Sequence, residues 1–288
     1  MKSKSTRKLR PAQKQSRQPG RQKAMTPAPV TIRDDYRGSG KLQGRRCFIT
    51  GGDSGIGRAV AVHFAREGAD IAIAYLEENE DARETKRLVE AEGGRCLLLA
   101  TDLANERNCR TAVNRVVRAF GGLDVLVNNC GEQHETAEPE DLKAAQIRRT
   151  FETNVFSYYN VLVAALPHLG EGAAVINTGS VTGARGHESL LDYAGTKGAI
   201  AAMTKSFAQA LADRGIRVNA VAPGPVWTPL IPASFPPDKV AKFGSNTLLG
   251  RAGQPAEIAP VYVLLASADG AFITGQVLHV NGGSFLGG

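Results

Sequence analysis

From Arg46 onward, short apolar runs alternate with longer stretches whose apolar residues recur every three or four positions. The runs at 47–50, 71–75, 96–100, 125–127, 174–177, 217–221 and 277–280 predict strands. The stretches 57–66, 81–91, 106–120, 140–166, 189–213 and 255–266 predict helices. Such alternation implies crossover units and an α/β fold with a parallel sheet covered on both faces. Nothing of linker composition interrupts 46–288, which therefore reads as one domain. The longest stretch without a periodic element, 222–250, contains Pro223, Pro225, Pro229, Pro232, Pro236 and Pro237. A loop that long in a compact domain usually has a job, and a substrate lid over about 225–250 is the expectation.

Composition changes the picture only at the N-terminus. The 288 residues are 42% hydrophobic and 22% charged, ordinary for a globular chain, which excludes a wholly disordered or fibrous one. Residues 1–25 carry nine basic side chains and no acidic one, and removing them from the net +7 leaves −2 for the rest. That segment has few apolar residues and reads as a disordered basic tail, followed by a Pro/Gly-containing arm over 26–45 that lies on the body through Val30, Ile32 and Tyr36. No uncharged apolar run reaches 18 residues and no secretory signal opens the chain. Cys47, Cys96, Cys109 and Cys130 show no zinc-like spacing, and neither do the five histidines, so no metal is expected and a reduced cytoplasmic chain is the simplest reading.

The first strand runs into Thr50-Gly51-Gly52-Asp53-Ser54-Gly55-Ile56-Gly57, and a helix follows. Glycines let such a turn tighten and let the backbone approach a ligand, while the helix N-terminus presents partial positive charge to a pyrophosphate. A tight turn alone would ask for the same glycines, but the strand–loop–helix setting favours phosphate cradling. Tyr193 and Lys197 are four apart and share one face of a helix. An ammonium there would lower a tyrosine pKa from about 10 toward the range useful for acid/base work. Ser180 ends the fifth strand, at the edge where open α/β sheets bind ligands.

The loop spacing, Thr-Gly-x-x-x-Gly-x-Gly, resembles that of the short-chain dehydrogenase/reductases, and the likeness covers essentially all of 46–288. Asn128-Asn129-Cys130-Gly131 looks like the family's Asn-Asn-Ala-Gly with cysteine in place of alanine. Tyr193-Ala-Gly-Thr-Lys197 matches Tyr-x-x-x-Lys, with Ser180 thirteen residues upstream. The resemblance implies a Rossmann-type, doubly wound sheet of seven parallel strands. It also implies an NAD(P)-dependent enzyme that transfers hydride between nicotinamide and a carbonyl or alcohol. Tyr193 would be general acid/base, Lys197 its tuner and a ribose ligand, Ser180 a donor to the substrate oxygen, and Asn154 the holder of a proton-relaying water. Cofactor contacts would come from Gly51, Asp53, Ser54, Gly55, Ile56 and Gly57, and from Asp102 and Leu103 at the adenine. Asn129, Cys130, Gly131, Tyr193 and Lys197 would follow, with Pro223, Gly224, Val226 and Thr228 at the nicotinamide and diphosphate. The arm, with Tyr36-x-Gly38-Ser39-Gly40-Lys41-Leu42, looks like that of an extended bacterial subgroup that includes aldehyde reductases and stress-associated members.

Cofactor choice departs from both family patterns. Tyr75 stands where NAD-specific members carry aspartate, and Leu76 where many NADP-specific members carry arginine. Lack of the repelling carboxylate permits NADP and Arg58 could reach its phosphate, but Glu77 and Glu78 oppose it; the reading leans to NADP with NAD open. Glu132, Gln133, His134, Arg185, His187 and Trp227 would line a mixed substrate pocket, with Trp227 equally able to anchor the lid, and Cys130 reads as a small packed side chain. The resemblance implies a homotetramer or dimer built through the long helices and last strand. The competing class is a nucleotide sensor or nucleic-acid-associated protein using the basic tail. It lacks base-stacking aromatics in residues 1–25, so neither a specific nucleic acid nor a membrane partner is expected.

Overall fold

A computed structural model describes residues 9–287. Seven strands, β1 (Arg46–Thr50), β2 (Asp70–Tyr75), β3 (Cys96–Ala100), β4 (Val125–Asn128), β5 (Ala174–Thr178), β6 (Arg217–Pro223) and β7 (Val277–Val280), form one sheet in the order β3-β2-β1-β4-β5-β6-β7. All pairings are parallel, with Ile49 of β1 opposite Ile73 on one side and Val127 on the other. The strand order reverses at β1/β4, which places the ligand-binding crevice of such sheets at their carboxyl ends.

The helices follow the apolar periodicity. They are α1 (Gly55–Arg66), α2 (Asn79–Ala91), α3 (Glu106–Phe120), α4 (Ala144–Phe151), α5 (Ser157–Ala165), α6 (Thr182–Arg185), α7 (Leu191–Leu211), α8 (Leu230–Ser234), α9 (Pro237–Lys242) and α10 (Pro255–Ala266). Successive strand residues point to opposite faces, so Ile49 packs with Phe64, Ile73 and Tyr262 beneath α1 and α10. Phe48 packs instead with Leu126, Tyr158 and Met203 beneath α3, α5 and α7. Two elements differ from the sequence expectation. The single helix expected over 140–166 is broken by a π-type turn, Glu152–Phe156, between α4 and α5. The lid contains α8 and α9, too short for a periodicity to show.

The disordered tail is corrected where it can be seen. Residues 1–8 lie outside the described part, but 9–25 run along the body. The Leu9 N–H donates to the Ala241 carbonyl at 2.8 Å, and the Gln15 N–H to that of Pro232 at 2.7 Å. Met25 is buried with Trp227 and Ile231 in a small core of its own. Composition misses this because the segment is held by backbone and amide hydrogen bonds and by charge, not by apolar bulk. Arg17 pairs with Glu77 and Glu78, and Lys23 with Glu80, all at the acidic entry to α2. The arm over 26–45 is clamped by the Glu67 carboxylate, which accepts from the Tyr36 hydroxyl (2.6 Å) and the Ser39 and Lys41 N–H groups (2.9 and 3.1 Å). Leu42 is fully buried, whereas Val30 contributes backbone bonds and leaves its side chain exposed. No helix among the described residues is long and apolar enough to cross a membrane.

Candidate active site

One cleft lies at the carboxyl ends of β1 to β6, walled by the glycine loop, the lid and part of the basic segment. It brings together Ser180, Tyr193 and Lys197 with nearly every residue expected at a cofactor, from Gly51, Asp53, Ser54, Gly55 and Ile56 through Tyr75, Leu76, Asp102 and Leu103. Asn129, Cys130, Gly131, Pro223, Gly224, Val226 and Thr228 complete that set. Gly57 and Asn154 do not line it.

Gly57 acts by close packing. A Cβ there would sit 2.0 Å from the Gly51 carbonyl oxygen, so only glycine lets α1 start against the loop. Asn129 fastens the same loop from β4: its side-chain amide donates to the carbonyls of Thr50 (3.1 Å) and Gly51 (3.0 Å), and its N–H to the Thr50 hydroxyl (2.8 Å). Ser54 caps α1 without a side-chain hydrogen bond to its first turn. Asn154, buried in the π-type turn, accepts the Glu132 N–H at 2.8 Å and donates to the Glu132 carbonyl at 2.9 Å and Thr196 at 3.2 Å. Its side chain is thus committed to holding the loop after β4.

Tyr193 sits in the first turn of α7, where its N–H donates to Asp192 at 2.9 Å; Asp192 in turn accepts the Thr150 hydroxyl at 2.7 Å. Burial pushes the Tyr193 phenol up to about 12, and a hydrogen bond with Ser180 opposes that shift. Thr182, which no sequence signal picked out, donates its N–H (3.2 Å) and hydroxyl (2.9 Å) to Ser180 Oγ and leaves the serine proton to point elsewhere. Lys197 Nζ donates to the Thr178 carbonyl at 2.8 Å and lies 5.4 Å from the Tyr193 ring centroid. Burial lowers it to about 8. Burial and the Ser180 hydrogen bond set the Tyr193 phenol, and Lys197 is not among the influences on it.

Other expectations move. Arg58 is buried and spends its guanidinium on the Asp53 carbonyl (2.8 Å), the Thr85 hydroxyl (3.0 Å) and Asp81 (3.1 Å), so it cannot reach a ligand phosphate. Trp227 is fully buried and donates Nε1–H to the Pro27 carbonyl at 2.8 Å, anchoring the lid to the arm rather than facing substrate. Glu132, Gln133 and His187 line the cleft, whereas His134, Arg185 and Trp227 do not. Cys130 packs with its Sγ 3.6 Å from Ser157 Oγ, and burial raises its pKa. Sequence reading missed Gln18, Pro19 and Gly20, which the basic segment ahead of the arm contributes to the cleft.

The donor set suits an anionic dinucleotide. Gln133 Nε2 and Thr153 Oγ1 are buried in the cleft lining with no partner. Lys197 has three N–H donors and spends one on Thr178.

A family model described as enoyl-(acyl carrier protein) reductase matches residues 51–284. General stress protein 39 of Bacillus subtilis is 55% identical over 276 residues, 96% of each chain. The chloroplastic NADPH-dependent aldehyde reductase 1 of Arabidopsis thaliana is 48% identical, over 95% of this chain and 98% of the relative. Among solved structures, a short chain dehydrogenase from Burkholderia cenocepacia in complex with NADP is similar with a TM-score of 0.78 and 34% identity, over 84% of this chain and 98% of that one.

Proposed function

The chain belongs to the short-chain dehydrogenase/reductases, a family of oxidoreductases, and from that premise we propose that it reduces an aldehyde or ketone to the alcohol with NADPH. The relative named for NADPH-dependent aldehyde reduction and the similar structure holding NADP support this choice of cofactor. A single observation carries the reading: Tyr193, Ser180 and Lys197 come together in one cleft with the residues expected at the cofactor.

NADPH, when bound, would supply a hydride for the carbonyl carbon. The chain's own residues handle the charge that develops on the oxygen. A phenol raised to about 12 is protonated at neutral pH and serves as the acid, giving its proton to that oxygen as the C=O electron pair localises there. Ser180, its Oγ fixed by Thr182, donates to the same oxygen and orients it. Lys197 would hold ribose hydroxyls with the N–H donors not spent on Thr178, and its positive charge would favour the phenolate left on Tyr193. Asn154 positions the loop at Glu132 that borders the substrate end. Ser54 and Ile56 would present the start of α1 to the pyrophosphate, while the Gly55 N–H is held by the Gln22 side chain at 2.7 Å.

Fluorescence titration with NADPH and NADH, followed by loss of NADPH absorbance across a panel of small aldehydes and ketones, tests the proposal. Binding of NADPH with turnover is the expected result. Failure to bind either dinucleotide would end this reading.

A further inference from the structure

The turn after β2 carries Leu76, Glu77 and Glu78, and Leu76 lines the cleft. Dinucleotide-binding sheets hold the adenosine ribose at this strand end, where carboxylates repel a 2′-phosphate. The Glu78 side chain is 1% exposed, and the buried Asp53 adds its charge against it. The cations and donors close by in sequence do not answer these carboxylates. Arg58 is taken by Asp81, and the Tyr75 hydroxyl donates to Asn79 at 2.8 Å.

The answering charge comes from the basic segment ahead of the arm. Arg17 pairs through Nη1 with Glu77 and through Nη2 with Glu78 Oε1 at 3.3 Å. The residues after it are fixed over the cleft. Gln18 donates to the Gln133 carbonyl at 2.6 Å and accepts the Gln133 N–H at 3.1 Å. Gly20 lies so near the lid that a Cβ would meet the Pro229 carbonyl oxygen at 2.4 Å. Gln22 accepts the Gly55 N–H at 2.7 Å and donates its own N–H to Asp81 at 2.7 Å. Backbone and amide bonds therefore set where the guanidinium stands.

We infer that Arg17 is a specificity-determining residue for the cofactor: the basic segment forms an outer wall of the dinucleotide site through Gln18, Pro19 and Gly20, and Arg17 offsets part of the charge of Glu77 and Glu78 so that a 2′-phosphate is accepted beside them. The inference rests on the NADPH reading above. Dissociation constants for NADPH and NADH, measured by fluorescence titration without turnover, test it in the wild type, Arg17→Ala, Arg17→Lys and Arg17→Ala with Glu77→Gln and Glu78→Gln. Arg17 is nearly half exposed, so these variants are expected to fold. Arg17→Ala weakens NADPH about tenfold and NADH less than about twofold, a size expected for losing one charge partner. Arg17→Lys keeps most of the preference, and removing the two carboxylates in the Arg17→Ala chain restores it. Equal weakening of both cofactors would reduce Arg17 to a clasp for the arm, and an unchanged ratio or one not restored without the carboxylates would also overturn the inference. A wild type that prefers NADH or binds neither would instead overturn the NADPH reading itself.

Discussion

At the scale of single residues, the chemistry divides between groups that act and groups that aim them. Tyr193→Phe removes the proposed proton donor while keeping the ring, so kcat should fall about a hundred- to ten-thousandfold with cofactor Kd little changed. A loss of only a few-fold would reassign the acid. Lys197 offers a test that needs no substrate. Its ammonium is lowered from 10.5 to about 8 by burial. Between those values the unfolded chain binds the proton and the folded one does not, so folding stability rises with pH across that window, and the burial cost is fully present below about 8. Urea melts from pH 7 to 10 should therefore show wild type gaining on Lys197→Met above pH 8, whereas parallel curves would mean the lysine is not desolvated. Ser180, Tyr193 and Lys197 were legible because type and spacing both mark them. Thr182 was not, since a hydroxyl that orients another hydroxyl has no spacing rule of its own.

At the scale of elements, the strand–loop–helix unit around Gly51–Gly57 depends on backbone contact that no side chain tolerates. Gly57→Ala places a methyl 2.0 Å from the Gly51 carbonyl, and neither partner is a flexible side chain. We expect a loss of about 1–3 kcal/mol by chemical denaturation, with dinucleotide binding weakened alongside it. Retention of both would show that the loop can shift. The strands and most helices were readable because their periods, two and about 3.6, are local properties of the chain. The π-type turn was not readable. It centres Asn154 on the Glu132 backbone, a partner 22 residues away. The lid helices α8 and α9 have 5 and 6 residues, fewer than two full turns each.

At the scale of the whole molecule, the charge asymmetry of the chain resolves into complementarity. The basic segment meets the acidic start of α2 through Arg17 and Lys23, so some of its charge is answered within the protein instead of being held out for an external polyanion. Apolar side chains cluster on the surface at α5. Phe156, Tyr159 and Val163 are 52%, 39% and 57% exposed along one side of α5 and the turn before it. Clustered apolar exposure of this kind marks an association surface. We expect a homo-oligomer that Val163→Glu converts to smaller species, measured by light scattering. A wild type that runs as a monomer at micromolar concentration would refute this.

The sequence alone determined the α/β class, the alternation of strands with most of the helices, the glycine loop and the candidate site positions, because periodicity and motif spacing are written in consecutive residues. It also showed that Tyr75 and Leu76 match neither cofactor pattern. Tertiary structure alone decided what surrounds those positions: Arg58 turned inward to Asp81, Trp227 committed to Pro27, and residues 18–20 laid over the cleft. Each of these rests on partners that are distant in sequence, 200 residues apart for Trp227 and Pro27 and 60 for Arg17 and Glu77. Burial and pairing at that range depend on where folding brings the partners, which composition and local spacing do not encode.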